Sequence, residues 1–194
     1  MHKALNTQSK PKLDAILEFR TSLTPAALKS FRGFKSFLED HQQGVFGALA
    51  SQPGWGKKTA ALFLRNLAII EVTPSLKLWR DIDLLTGNQL WLPVDAVILA
   101  IFRKLERRLP GWKLDNFRNI NAFLRDDMAY TPREMMVWDD LWFWGFITQR
   151  STPGAVVRRH AWNEAKYWAI PHAPTDAASI RRTRVLGEEF LRRL

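Results

Sequence analysis

Apolar residues recur three and four positions apart along most of the chain, and strict alternation is almost absent. That spacing is the helical one. It predicts an all-α fold, a compact multi-helix bundle forming a single domain over residues 12–194, behind a polar, flexible N-terminus at 1–11. LDAILEFR (13–20) reads as a short amphipathic helix. Thr24 and Pro25 read as N-cap and first helical residue of PAALKSFRGFKSFLED. Gly44 precedes VFGALASQ, another short helix. Ala60, Ala61, Leu64, Leu67 and Ala68 share one face of a helix over about 57–70. Residues 71–92 are less regular, punctuated by Pro74, the Thr86-Gly87-Asn88 turn and, just beyond, Pro93. Asp95 then opens AVILAIFRKLERRL, closed by Pro110-Gly111. Further helices are predicted over about 114–127, through PREMMVWDDLWFWGFITQR after Thr131, over about 155–168, and over about 175–193.

The segment WDDLWFWGF carries three of the nine tryptophans. Trp138, Leu141, Trp142, Gly145 and Phe146 fall on one helical face, read as core. Phe143 and Trp144 point elsewhere. They are candidates to stack on an extruded base or to pack on a neighbouring helix. Asp139 and Asp140, on the polar side, either touch a base edge or are solvated.

Charge changes this picture. Of 194 residues, 29 are basic and 19 acidic, a net charge of +10 with a pI near 10.3. Such an excess points first to nucleic acid and second to an anionic membrane surface. The chain contains no cysteine, so disulfides, thiolate zinc sites and Cys-ligated iron–sulfur clusters are excluded. His160 and His172 have no partners at metal-ligand spacing and receive no role. No metal or cofactor is expected. No apolar run is long enough to span a membrane, and MHKALNTQSK lacks the apolar core of a signal peptide. A cytoplasmic location is expected, nucleoid-associated in a bacterium.

QPGWGKKTA (52–60) holds the sharpest signal. A helix N-terminus already carries partial positive charge, so Lys57 and Lys58 there work against local stability unless an anion sits opposite. Glycines between two helices let a phosphate approach the amides of the second. The expected DNA contacts are Pro53, Gly54, Trp55, Gly56, Lys57 and Thr59. Trp55 either packs inward or wedges against DNA. Arg103 and Arg107, one helical turn apart, extend the expected phosphate-tracking surface.

PGWGKKTA (Pro53 to Ala60) followed by LPVDAVIL (Leu92 to Leu99) resembles the helix-hairpin-helix DNA glycosylase superfamily. There a Pro-Gly-x-Gly hairpin with x-Lys-x-Ala precedes a Val-Asp segment that starts a helix. The likeness spans residues 45–105, with the hairpin at about 45–70, and implies a cluster-free branch. The long stretch between the two motifs loosely resembles archaeal 8-oxoguanine glycosylases. The resemblance implies Lys58 as catalytic lysine and Asp95 as catalytic aspartate. It further implies removal of a damaged or modified base from double-stranded DNA, with AP-lyase activity through a lysine Schiff base. The chain departs from the pattern at Gln52, where an apolar residue is usual, and at Val97, where a histidine often stands. It also has a short segment before the hairpin. That last departure suggests a protein partner that completes the N-terminal half. It also leaves open a non-catalytic DNA-binding subunit of a larger assembly. At Asp95 the alternative to catalysis is a helix cap, and at Lys58 a phosphate contact.

Overall fold

The structure, a computed structural model, describes residues 31–51, 55–86, 89–137, 140–151 and 158–194. The helix expected at 13–20, its neighbour's start at Thr24-Pro25, the hairpin residues Pro53 and Gly54, and Gly87, Asn88, Trp138 and Asp139 lie outside them. The chain divides into two compact units, Met1–Pro93 and Val94–Leu194. Helices dominate both. Among the described residues no helix is long and apolar enough to cross a membrane.

In the first unit, α1 (Phe31–Asp40) is followed by α2 (Val45–Ala50) and α3 (Lys57–Val72). The stripe Ala60, Ala61, Leu64, Leu67 and Ala68 is buried as its spacing predicts, with Leu38 of α1 and Val45 and Leu49 of α2. α2 and α3 pack on each other. Phe34 adds rings to this core, meeting Phe63 edge-on at 6.1 Å and Trp79 at 5.9 Å. The irregular stretch after α3 is tied back by Glu71, whose Oε2 accepts the Leu84 N–H at 2.7 Å. Burial raises the Glu71 carboxyl above its ordinary range, and the Leu84 bond opposes this.

In the second unit, α4 (Ala96–Glu106) leads to α5 (Phe117–Ala122), N-capped by the Asn116 side chain. α5 runs into a π turn, Phe123–Asp127, closed by Met128 N–H on the Phe123 carbonyl at 2.9 Å. α6 (Pro132–Val137) starts with a capping box. Glu134 N–H donates to Thr131 Oγ1, and Glu134 Oε2 accepts the Thr131 N–H at 2.9 Å. α7 (Asp140–Ile147) crosses α4 and contacts α8 (Glu164–Tyr167) and α9 (Ala177–Arg193).

The expected helices over 131–150 and 155–168 need correction. Gln149–Arg150 (β1) and Arg159–His160 (β2) form a two-stranded antiparallel ladder, Gln149 opposite His160. The helical run therefore ends at Ile147, and among the described residues of the later stretch only Glu164–Tyr167 is helical. Side-chain bonds explain the switch. Buried Gln149 donates Nε2 to the Val97 carbonyl at 2.9 Å, which holds β1 against α4. Arg150 donates through Nε and Nη2 to the Trp162 carbonyl. Asn163 donates Nδ2 to the Gln149 carbonyl and caps α8 through its side-chain oxygen. Neither Gln149 nor Asn163 is apolar, so hydrophobic spacing does not register them.

Tyr167 closes this corner. It is 2% exposed, and its hydroxyl donates to the Pro174 carbonyl at 2.7 Å. Tyr167→Phe is expected to destabilise the unit by about 1 kcal/mol. The check is a lower urea midpoint at unchanged slope.

Candidate functional site

Asp95 is built into the start of α4. Its backbone is extended, and Oδ1 accepts the N–H groups of Val97 at 2.8 Å and Ile98 at 3.0 Å. The N-cap reading of Asp95 is therefore realised, with a worth of about 1 kcal/mol. The second oxygen serves a different purpose. Oδ2 accepts the indole N–H of Trp142 at 2.9 Å. Trp142 is 41% exposed and lies stacked on Phe146, centroids 4.8 Å apart. The Lys166 ammonium stands over the other partner of this stack, 4.8 Å from the Phe146 centroid. Burial lowers the Lys166 pKa below the ordinary lysine value. Arg158 pushes it the same way, and Asp95 opposes them. A carboxylate, an aromatic pair with one exposed ring and an amine of depressed basicity thus share one corner of the second unit.

This corner corrects the aromatic assignment. Trp142, placed in the core by face counting, is exposed beside Asp95. Phe143 and Trp144, the expected base-pocket residues, are half-buried and pack edge-on against each other at 5.1 Å. Trp144 also faces Phe190 of α9, at 6.3 Å. For Trp144 this is packing on a neighbouring helix. The reason is that DLWFWGFI is apolar on every side, so periodicity cannot choose which stripe turns inward. Gly145 makes that choice. An added Cβ there would lie 2.6 Å from both Ile101 Cδ1 and Val97 Cγ1, so this is where α7 touches α4. Trp142 and Lys166 were missed for that reason and for a second one: an isolated lysine carries no pattern.

In the first unit, Gly56 is extended and caps α3 without a side-chain bond. Lys57, Lys58 and Thr59 are exposed on the first turn. Trp55 packs its ring edge-on against Phe63 at 5.2 Å, the inward alternative. Lys58 belongs to the first unit and Asp95 to the second.

The basic stripe of α4 is divided between two tasks. Lys104 Nζ donates to the Leu191 carbonyl at 3.2 Å, and Arg108 Nη1 to the Arg193 carbonyl at 2.9 Å. These two cations cap the last turn of α9, where carbonyls lack helical partners. Arg103 and Arg107 are exposed. A comparison with protein-family models, with curated proteins and with solved structures found no match to this chain.

Proposed function

We propose that the chain is a base-excision protein acting on double-stranded DNA. In this reading α2, α3 and the PGWG segment between them are the helix-hairpin-helix. The exposed Lys57 and Thr59 of α3 then meet the phosphate backbone without reading sequence. The observation that carries the reading is the fixed Asp95 carboxylate. Oδ1 is anchored by two amides, and Oδ2 is presented beside the exposed Trp142 ring. A positioned carboxylate stabilises the oxocarbenium character that develops as a glycosidic bond breaks. An adjacent exposed indole offers a stacking face to an extruded base.

Lys58 is the nucleophile in this proposal. Its neutral amine attacks C1′, and the bond from C1′ to the base breaks, its electron pair leaving with the base, which takes a proton. The amine gives up a proton, the C1′–O4′ bond opens with its electron pair and a proton going to O4′, and the nitrogen lone pair completes an iminium. Loss of a C2′ proton then expels the 3′-phosphate. Borohydride reduction of the iminium is the test. The parent is expected to form a stable adduct with an abasic-site duplex, and Lys58→Gln to lose it. Loss in Lys166→Gln instead would move the nucleophile to the amine beside Phe146. Absence of any adduct from the parent removes the lyase chemistry.

A second reading, a DNA-binding subunit without catalysis, is favoured by one observation: Asp95 already serves as a helix cap and indole acceptor. Its signature is equal affinity for undamaged and damaged duplex in fluorescence anisotropy, falling steeply with salt.

A further inference from the structure

The second unit contains a cavity of about 390 Å³ along one side of α4. Five basic side chains line it: Arg103 and Lys104 from α4, Arg107 at its C-cap, Arg158 just before β2, and His160 on β2. Among the described residues no acidic side chain lines it. Arg103, Arg107 and Arg158 make no ion pair among the described residues. Glu106 and Asp115 adjoin Arg103 and Arg107 in a neighbouring hollow. Both are engaged there: Glu106 accepts the Leu114 N–H, and Asp115 pairs with Lys113 and Asn119.

Two groups register the positive field inside the cavity. Burial lowers the Lys104 pKa, and Arg108 and Arg107 lower it further. Burial likewise lowers the His160 pKa, reinforced by Lys104 and Arg107 against an opposing backbone contact with Ala100. His160 Nδ1 is buried and has no hydrogen-bond partner among the described residues. Cations crowded in this way repel one another, and a bound anion relieves each of those repulsions.

The lining also indicates what kind of anion. Guanidiniums present forked donors that match phosphate oxygens two at a time. The volume far exceeds a phosphate ion and falls within the range of small-molecule sites, about 300–1,000 Å³. The remaining wall is small and apolar, formed by Ala96, Leu99 and Ala100. It would lie flat against an uncharged body. We propose that this cavity binds a nucleotide, with its phosphate monoester held by Arg103, Arg107 and Arg158 and its nucleoside against Ala96, Leu99 and Ala100. The nucleotide is either free or the 5′-phosphorylated end of a strand. The site stands on its own residues and holds whether or not a base is excised.

Isothermal titration of the full chain tests the site with three probes: inorganic phosphate, deoxyadenosine 5′-monophosphate and deoxyadenosine. The monophosphate is expected to bind, inorganic phosphate more weakly, and the nucleoside not at all. Arg158→Gln and Arg107→Gln should each weaken the monophosphate by about ten- to a hundredfold, with unchanged circular dichroism. A duplex with a 5′-phosphate, compared with its 5′-hydroxyl counterpart, separates the sources. A preference of about tenfold for the phosphorylated end, lost in Arg158→Gln, assigns a strand terminus; binding of the monophosphate alone assigns a free nucleotide. The proposal is overturned if the nucleoside binds as well as the nucleotide, if no phosphate probe binds, or if both arginine variants retain parental affinity. Every arm uses undamaged ligands, so failure here is distinct from failure of excision.

Discussion

Gly145→Val is expected to destabilise the second unit by about 3 kcal/mol, a large share of the roughly 5–15 kcal/mol that keeps a domain folded. The new Cβ would lie 2.6 Å from Val97 Cγ1 and from Ile101 Cδ1, and 3.2 Å from Gln149 Nε2. Ile101 Cδ1 ends a side chain that can turn. Val97 cannot move as cheaply, because its β-branched side chain has one strongly preferred rotamer on a helix. Gln149 is also pinned, since its amide holds the Val97 carbonyl at 2.9 Å. The strain is therefore met by separating α7 from α4, which loosens buried Val97, Ile98, Ile101 and Ile147. Gly145→Ala is the milder probe. A better helix propensity, worth up to about 1 kcal/mol, offsets part of the clash. Combining it with Val97→Ala should recover stability that each change alone loses, a coupling that a double-mutant cycle reads directly. Denaturant midpoints measure all four proteins. Parental stability in Gly145→Val would mean that the crossing is looser than this geometry.

The legible parts of the fold were those set by hydrophobic spacing and capping residues. α3 and α4 begin at Lys57 and Ala96, close to where the pattern and Asp95 place them. α9 begins after the Asp176 cap. What stayed hidden was written in polar side chains acting over long sequence distances. Gln149 reaches Val97, Asn163 reaches Gln149, and together they turn an expected helix into a strand pair. The candidate site follows the same division. Asp95 was visible because a cap has a local signature. Its partner Trp142, forty-seven positions later, was not, because α7 is apolar all round and presents no preferred face. The basic cavity was half visible. Arg103 and Arg107 lie one turn apart at the end of α4, Arg107 as its C-cap, but Arg158 and His160 join them only through the ladder that brings β2 to β1.

Replacing Asp95 separates its structural role from its chemical one. In Asp95→Asn the amide oxygen can still accept from Val97 and Ile98, so α4 keeps its cap. What disappears is the negative charge, together with the bond from Trp142, whose N–H would now face an amide group. The expected stability loss is under about 1 kcal/mol, because Trp142 is exposed and water replaces its partner. Under the proposed function, excision is expected to fall by about a hundred- to a thousandfold, the scale of losing one preorganised electrostatic contact to a charged transition state. Asp95→Ala should match that loss of activity and add about 1 kcal/mol of instability from the missing cap. The informative comparison is therefore between the two variants: similar turnover with different denaturant midpoints. Single-turnover base release from a lesion duplex supplies the first quantity and urea titration the second. If Asp95→Asn releases base at the parental rate, the carboxylate serves only to start α4 and hold Trp142. The chemistry then has to be sought at another acid, whereas absence of base release from the parent itself would leave the second reading, binding without excision.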